Sequence, residues 1–316
     1  MVGFHAVGGL LAAESPVVMS EGAFDLSVII TAYNSRDTVC ACLASLDAQK
    51  TSHRFEVLLV DSGSDGTAEL VAAEFPQVRL IRSAKRLYAG EGRNLAIPQA
   101  EAPLIAFLDA DCHVEPDWVE AVLAAQQRPN LVAAGAVHNG STGSLMGWAY
   151  YFCEFNLWAA ALSAPAREID EAAGCCLSMK REAFERFGPF PGGSYSSDSA
   201  FARRMQAAGH RVLFWPSARV YHHYDRGLRD FLEHQALHRR GYAAVLCRQR
   251  RLSRWHRLGR ILGLPLLPGA LSCALIYRLG RTPELFRPLA AAAPLVWLGF
   301  WARAWGEFTG YLRPGD

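Results

Sequence analysis

The sequence predicts an α/β protein with a mostly parallel sheet flanked by helices, followed by a C-terminal apolar helical hairpin. Three short apolar runs support the sheet, because each ends in a polar cluster and helix-length segments separate them. Two uncharged runs near the C-terminus support the hairpin. Ligands of such sheets bind beyond the carboxyl ends of the strands, so the polar clusters are the first candidates for a functional site.

The three runs are LSVIITAYN at residues 26–34, FEVLLVDSGSDGT at residues 55–67 and LIAFLDAD at residues 104–111. The third begins with five apolar residues, which predicts a strand buried on both faces. Asp109 and Asp111 follow it, one residue apart, as hard oxygen ligands that suit a divalent cation on a diphosphate. Taken alone, this tripeptide is explained equally well by a loop with two solvated acids.

The segments between these runs fit the same sheet. Val39, Leu43 and Leu46 recur at spacings of four and three and predict an amphipathic helix over residues 35–49. Residues 78–81 read as a shorter strand, and GEGRNLA at residues 90–96 as the start of a helix. The result is a Rossmann-like alternation of strands and helices with every polar tip at one edge.

In this order, the motifs resemble the family 2 glycosyltransferases, whose catalytic domain has the GT-A fold. The motifs are a Val-Ile-Ile strand ending in Tyr33-Asn34, the run VDSGSDGT at residues 60–67, and Asp-x-Asp at residues 109–111. The resemblance covers about residues 25 to 245. It implies an inverting, metal-dependent transfer of a sugar from a nucleotide-diphosphate sugar, with a UDP-sugar favoured.

The resemblance also assigns residues to the donor side. It implies that Asp61 binds the nucleotide base, although Ser62 stands where a second acid is usual and weakens the preference for uracil. Arg93 matches an arginine that faces the donor; a solvated basic surface is the alternative. The residues expected to contact the nucleotide sugar are Thr31, Tyr33, Asn34, Asp61, Ser62, Arg93, Asp109, Ala110 and Asp111. The expected ligands of Mn or Mg are Asp111, Asp109 and His222, which the spacing favours over His223; ordinary polar surface is the alternative for the histidine pair.

On the acceptor side, aligning Arg204 and Gly209 with the family pattern puts Asp198 on the catalytic aspartate. Inversion needs a carboxylate that takes the proton of the acceptor hydroxyl, and Asp198 is predicted to be that base. Ser197 and Ala200 replace acids that are usual in the family. The other residues expected near the acceptor are Gly174, Cys175, Cys176, Ser197 and Arg239. His234 and His238 share a helix face, but no third ligand is evident, so no zinc site is predicted.

Length and composition fit one catalytic domain with an addition. The chain has 316 residues, which is long for a single domain, and its net charge of +2 implies no binding of nucleic acid. Eight cysteines without a Cys-x-x-Cys pair predict the reduced, mostly buried thiols of a cytosolic protein. We expect a loose N-terminal arm at residues 1–24, which has no basic n-region of a secretory signal. The catalytic domain is expected at residues 25–245, with a nucleotide-binding half at 25–115 and an acceptor-binding half at 116–245.

Residues 246–316 are expected to be basic, then apolar, and to associate with a membrane. Residues 226–260 contain ten arginines against two acids, which suits an anionic surface. The uncharged runs at 261–277 and 288–302 have 17 and 15 residues. As helices they would reach roughly 26 and 23 Å, less than the hydrocarbon thickness, so a shallow or re-entrant hairpin is predicted rather than two spans. The alternative is a helical pair packed on the catalytic domain.

These expectations describe a sugar transferase at the cytoplasmic face of the cell membrane, with a lipid-linked or polysaccharide acceptor. Two alternatives remain. A weak or inactive nucleotide-sugar-binding membrane scaffold would explain Ser197 and Ala200. A nucleotidyltransferase is disfavoured, because residues 33–37, YNSRD, are not a glycine-rich basic loop.

Overall fold

The computed structural model describes residues 23–159, 165–171, 173–193, 195–280 and 282–313. The predicted N-terminal arm, residues 1–24, lies outside these ranges except for its last two residues. In the described part of the chain, nine strands form one sheet. The strands are β1 Leu26–Ala32, β2 Phe55–Asp61, β3 Arg79–Arg82, β4 Leu104–Asp109, β5 Cys112–Val114, β6 Val132–Asn139, β7 Arg167–Ile169, β8 Leu177–Lys180 and β9 Val212–His222.

Helices cover the sheet and then continue beyond it. The α-helices are α1 Val39–Asp47, α2 Thr67–Glu74, α3 Ala89–Ala96, α4 Trp118–Gln126, α5 Leu145–Glu154, α6 Asn156–Ala159, α7 Arg181–Phe187, α8 Ser197–Ala207, α9 Leu228–Gln249, α10 Arg254–Gly263, α11 Leu267–Leu279 and α12 Phe286–Leu312. Short 3₁₀ turns occupy Ile97–Gln99, Gly174–Cys176, Leu264–Leu266 and Pro283–Leu285.

The strand order is β3-β2-β1-β4-β8-β6-β9-β5, and β7 pairs with β9. The first four strands in this order run parallel, β8 runs antiparallel to both of its neighbours, and β6 and β9 are parallel. The predicted α/β fold with a mostly parallel sheet is therefore confirmed. Register places Thr31 opposite both Val60 and Asp109, so the tips of β1, β2 and β4 meet at one edge.

The predicted strands and the first helix are buried as their sequences require. All five apolar residues of β4 are buried, and only Asp109 at its end is partly exposed. In α1 the predicted stripe of Val39, Leu43 and Leu46 is buried with Cys42. The side chains of β1 and β4 form the centre of the main hydrophobic core, which extends under α4 and α5. Burial of this apolar surface stabilises the sheet and fixes the position of its polar edge.

The C-terminal helices are longer than the uncharged runs predicted. Arg254–Leu279 and Pro283–Leu312 are long and apolar enough to cross a membrane by length and composition. Pro294 lies inside α12 and does not interrupt the helix. One face of α12, which includes Phe300 and Gly306, packs against α5 and α9. Trp297, Trp301 and Trp305 are exposed on another face.

The helix α9 continues through the predicted domain boundary at residues 245 and 246 and ends at Gln249. Because α12 also packs along α9, the C-terminal region is attached to the catalytic fold through a shared helix. The division into residues 25–245 and 246–316 stays a prediction.

Candidate active site

A cleft of about 530 Å³ opens at the carboxyl ends of β1 and β4. Its walls come from the β4–β5 turn, the start of α8, the end of β9, α9 and the C-terminal helices. Three carboxylates, those of Asp109, Asp111 and Asp198, line it together with Arg93 and His222. Residues far apart in the sequence therefore meet in one concave site of the size that binds small molecules.

Asp111 and His222 lie next to each other in this cleft. The antiparallel pairing of β5 with β9 brings them together, and the backbone N–H of His223 donates to the carbonyl of Asp111 at 2.9 Å. Nδ1 of His222 lies 3.0 Å from the carbonyl of His223, which leaves Nε2 facing a carboxylate oxygen of Asp111 at 3.3 Å. Burial lowers the pKa of His222, but Asp111, Cys175, Asp109 and the carbonyl of His223 together outweigh it, so the net shift is upward.

This pair fits a divalent metal. An oxygen of Asp111, the sulfur of Cys112 and a nitrogen of His222 lie within 4.8 Å of one another. Carboxylate and imidazole donors suit Mn, whereas Mg prefers oxygen alone. Asp109 is not part of this group; it lies on the same loop, 3.2 Å from the guanidinium of Arg93.

Arg93 supplies a buried positive charge at the base of the cleft. Its exposure is 2%, and its guanidinium lies over the rings of Phe107 and Phe190 as well as beside Asp109. Gly174 makes room for it, because a Cβ there would lie 2.5 Å from the guanidinium nitrogens. Burial raises the pKa of Asp109 to about 7, although Arg93 opposes the shift.

Asp198 lies in the first turn of α8 and is partly exposed to the cleft. One carboxylate oxygen accepts from the backbone N–H of Gly174 at 2.8 Å, and the other accepts from Ser199 at 2.8 Å. Ser196, just before the helix, has a φ of +68°. Ser197 packs against Gly90 of α3, since a Cβ at Gly90 would lie 2.6 Å from its hydroxyl oxygen. The carboxylate of Asp198 is therefore held in place in the lining of the cleft.

The residues predicted to contact the nucleotide are divided between the cleft and its rim. Thr31, Tyr33, Ser62 and Ala110 line the cleft. Asp61 is buried and accepts from the backbone N–H of Gly63 at 2.9 Å, outside the lining of the cleft.

Asn34 also lies outside the lining of the cleft and stabilises the neighbouring loop. Its side-chain oxygen accepts from the N–H of Ser64 at 2.9 Å, and its φ is +52°. The guanidinium of Arg86 lies 4.3 Å from the ring centroid of Tyr33, a contact that the sequence did not indicate.

Of the residues predicted to lie near the acceptor, Gly174, Cys175, Ser197 and Arg239 line the cleft. Cys176 does not, because its sulfur points to the carbonyl of Gly135 in β6 at 3.2 Å. The guanidinium of Arg239 pairs with Glu307 of α12.

Sequence reasoning missed a buried charge cluster on this side. Glu154 of α5 pairs with Arg303 of α12 at 2.8 Å, and His234 and His238 of α9 each approach it to 3.8 Å. Burial opposes ionisation of Glu154, but Arg303 and the two histidines hold its pKa below the usual range. Burial also lowers the pKa of His234 to about 4. The histidine pair was visible in the sequence, but Glu154 and Arg303 lie about 80 and 70 residues away from it and on other helices.

Comparison with known proteins gives a family match and several relatives. The model for glycosyl transferase family 2 matches residues 27–188. Glycosyltransferase AglE of Haloferax volcanii is 26% identical over 60% of this chain and 64% of its own length. The N-acetylglucosaminyl-diphospho-decaprenol L-rhamnosyltransferase of Mycobacterium tuberculosis is 28% identical over 67% of this chain and 81% of its own length. The chain spans only 27% of another relative, protein y4gI of Sinorhizobium fredii, which is 26% identical over 70% of this chain.

Solved structures show the same fold. The mannosyltransferase PcManGT from Pyrobaculum calidifontis, in complex with GDP-Man and Mn²⁺, aligns with a TM-score of 0.59 at 18% identity, over 91% of this chain and 89% of that chain. Residues 1–349 of TarS from S. aureus, in complex with UDP-GlcNAc, align with a TM-score of 0.51 at 18% identity, over 92% of each chain. Both alignments cover more than nine tenths of this chain, whereas the family model matches residues 27–188.

Proposed function

The chain belongs to glycosyl transferase family 2, and on this premise we propose that it is an inverting, metal-dependent glycosyltransferase. The proposed donor is a nucleotide-diphosphate sugar, with a UDP-sugar favoured, and the acceptor is lipid-linked or a polysaccharide. One observation carries the proposal: the Asp111–His222 pair, the Arg93–Asp109 pair and Asp198 line one cleft. The donor diphosphate needs the metal ligands and Arg93 on one side of the sugar, and the acceptor hydroxyl needs Asp198 on the other side.

In the proposed reaction, Asp198 takes the proton of the acceptor hydroxyl while that oxygen attacks the anomeric carbon of the donor sugar. The bond from the anomeric carbon to the diphosphate oxygen breaks, and the nucleoside diphosphate leaves with the bonding electrons. Asp111 and His222, with Asp109 beside them, would hold Mn or Mg, which when bound neutralises charge on the diphosphate. Arg93 adds a fixed positive charge at the base of the cleft.

The proposed nucleotide base and metal are supported by the structural neighbours and by the side chains that line the cleft. One structural neighbour was solved with GDP-Man and Mn²⁺ and another with UDP-GlcNAc, so the fold accommodates different bases. Asp61 remains the proposed residue for the base, with Ser62 beside it at the rim of the cleft. The imidazole of His222 favours Mn over Mg.

We further propose that the enzyme acts at the cytoplasmic face of the cell membrane through its C-terminal helices. The exposed tryptophans Trp297, Trp301 and Trp305 suit the headgroup region. Because α12 packs on α5 and α9 along its other face, peripheral or re-entrant contact fits better than a crossing. The M. tuberculosis relative is named for a diphospho-decaprenol acceptor, which supports a lipid-linked acceptor here.

The donor site is tested by calorimetric binding of UDP, GDP, TDP and CDP to detergent-purified protein, each with and without Mn²⁺. Binding of one nucleotide that depends on Mn²⁺ is expected. If no nucleotide binds under either condition, the proposed donor site is wrong.

The catalytic assignment is tested separately with the variant Asp198→Asn. We expect turnover to fall by about 10²–10⁴-fold, the usual contribution of a general base, while nucleotide binding stays unchanged. The matched control is Asp225→Asn, a carboxylate after β9 that accepts from the hydroxyl of Ser141 instead. Binding without turnover in the wild-type protein would instead support a nucleotide-sugar-binding scaffold.

A further inference from the structure

Arg278 lies where the active-site cleft meets the apolar C-terminal helices. It is near the end of α11 and lines both the main cleft and a second cavity of about 420 Å³. Its guanidinium donates to the side-chain oxygen of Asn156 at the start of α6, which fixes it at the junction. The second cavity shares Leu157, Trp158 and Glu171 with the main cleft but none of the donor-side aspartates.

Arg278 makes no ion pair in the part of the chain that the structure describes. Among residues 23–159, 165–171, 173–193, 195–280 and 282–313, no carboxylate lies within 4.0 Å of its guanidinium. Two acids of the second cavity, Glu168 and Asp170, face Arg211 at 4.0 and 2.5 Å. A planar guanidinium held in this way can still bind a phosphate through two parallel hydrogen bonds.

The helical segment that carries Arg278 also exposes apolar side chains. Leu266, Ile276 and Tyr277 of this segment are 76%, 58% and 81% exposed. Leu157 and Leu271 line the cleft, and Leu271 lies two turns before Arg278 on the same face of α11. A large exposed apolar patch usually marks a membrane or ligand-binding surface. A single cation at the boundary suits an amphiphile with an anionic head and a long apolar tail.

We propose that Arg278 binds the phosphate of a lipid-linked acceptor whose apolar tail lies along α11 and α12. The inference rests on the proposed sugar transfer and specifies its acceptor as a lipid phosphate rather than a polysaccharide. The head group would enter the cleft past Trp158 toward Asp198, while the tail stays on the exposed leucine, isoleucine and tyrosine side chains. The C-terminal helices would then complete the acceptor site as well as contact the membrane.

The probe for this site is farnesyl diphosphate, titrated into the full-length protein in detergent and followed by tryptophan fluorescence. A chelator is present, so that no metal holds the diphosphate at Asp111. Farnesol supplies the tail alone and inorganic diphosphate the charge alone. The variants are Arg278→Gln and, as a matched control, Arg287→Gln, an exposed arginine on α12 outside the cleft.

We expect the wild type and Arg287→Gln to bind farnesyl diphosphate alike and to bind either fragment at least tenfold more weakly. Arg278→Gln should weaken binding of farnesyl diphosphate by about 10–100-fold, the range for one charged hydrogen-bonded contact. Equal binding by wild type and Arg278→Gln would overturn the inference, as would equal binding of farnesol and farnesyl diphosphate. An equal loss in both variants would indicate a general charge effect and would also overturn it.

The same preparations distinguish this inference from the proposed function. Mn²⁺-dependent nucleotide binding is measured for both variants and is expected to match the wild type. If Arg278→Gln keeps both nucleotide and farnesyl diphosphate binding, only the acceptor inference fails. If the wild type binds no nucleotide, the proposed function itself fails, whatever happens to farnesyl diphosphate.

Discussion

Replacing Arg303 with methionine should destabilise the fold strongly, because it leaves a buried carboxylate without its main partner. Arg303 of α12 is 7% exposed and pairs with Glu154 of α5 at 2.8 Å. Its Nε also donates to the side-chain oxygen of Gln235 in α9 at 2.6 Å. Methionine keeps much of the apolar volume of the side chain but removes the charge and both contacts.

The expected loss is about 3–5 kcal/mol, the range measured when one partner of a buried ion pair is removed. In a chain of this length, each kcal/mol shifts the melting temperature by about 2 °C, so a decrease of roughly 6–10 °C is expected. The matched control is Arg287→Met, an exposed arginine on the same helix, which should change stability by less than about 0.5 kcal/mol.

The pH dependence of this loss tests its cause. In the wild type, the pKa of Glu154 is lower in the folded state than in the unfolded state. The stability that ionised Glu154 contributes is therefore present above the unfolded-state pKa and is lost as the pH falls through the folded-state pKa. Without Arg303, burial would raise the folded-state pKa, so the penalty of ionised Glu154 would be present at pH 7 and relieved at lower pH.

Urea unfolding of wild type, Arg303→Met and Arg287→Met at pH 7 and pH 5 measures this difference. The gap between wild type and Arg303→Met should be smaller at pH 5. The double variant Glu154→Gln with Arg303→Met should recover at least half of the loss at pH 7. A gap that is below about 1 kcal/mol at pH 7, or equal at both pH values, would refute the argument.

Three further predictions concern the site and the helices. His222→Ala should weaken Mn²⁺ binding, measured calorimetrically without nucleotide, by at least about tenfold. His223→Ala should not, because the ring of His223 contacts His113 instead. Equal effects would exclude His222 as a ligand. Gly174→Ala should lower turnover by at least about tenfold, because the added Cβ would meet the guanidinium of Arg93. The control Gly143→Ala should be neutral, because a Cβ there meets nothing within 4 Å. Full activity of Gly174→Ala would contradict the packing argument. The triple variant with serine in place of Trp297, Trp301 and Trp305 should partition onto anionic vesicles at least about tenfold more weakly, as measured by co-sedimentation. Unchanged partitioning would argue against these side chains as the membrane contact.

The parallel strands and the position of the Asp-x-Asp loop were predictable because their signals are local. A run such as LIAFL has no polar side chain to expose, so it must be a buried strand wherever it is placed. The aspartates that follow it must then lie at the edge of the sheet. The apolar stripe of α1 is a local signal of the same kind, and its predicted residues are buried.

The C-terminal region shows where local reasoning failed. The second uncharged run ends before Arg303, so the sequence indicated an apolar helix only over residues 288–302. In the structure Arg303 and Glu307 are both buried, and α12 continues to Leu312. Their partners, Glu154, Gln235 and Arg239, belong to α5 and α9, and no periodicity indicates which helices will pack together.

By itself, the sequence determined the four strands β1 to β4 and the polar edge where they end, because hydrophobic runs and turn residues act over a few neighbouring positions. The order of its motifs indicated the family through their resemblance to family 2 glycosyltransferases. Only the tertiary structure decided that Glu154 pairs with Arg303, and that Arg278 contacts Asn156 between the cleft and the apolar helices. Each of these contacts joins residues more than 100 positions apart. The energy of such contacts depends on burial and distance, which exist only once the helices have packed on the sheet.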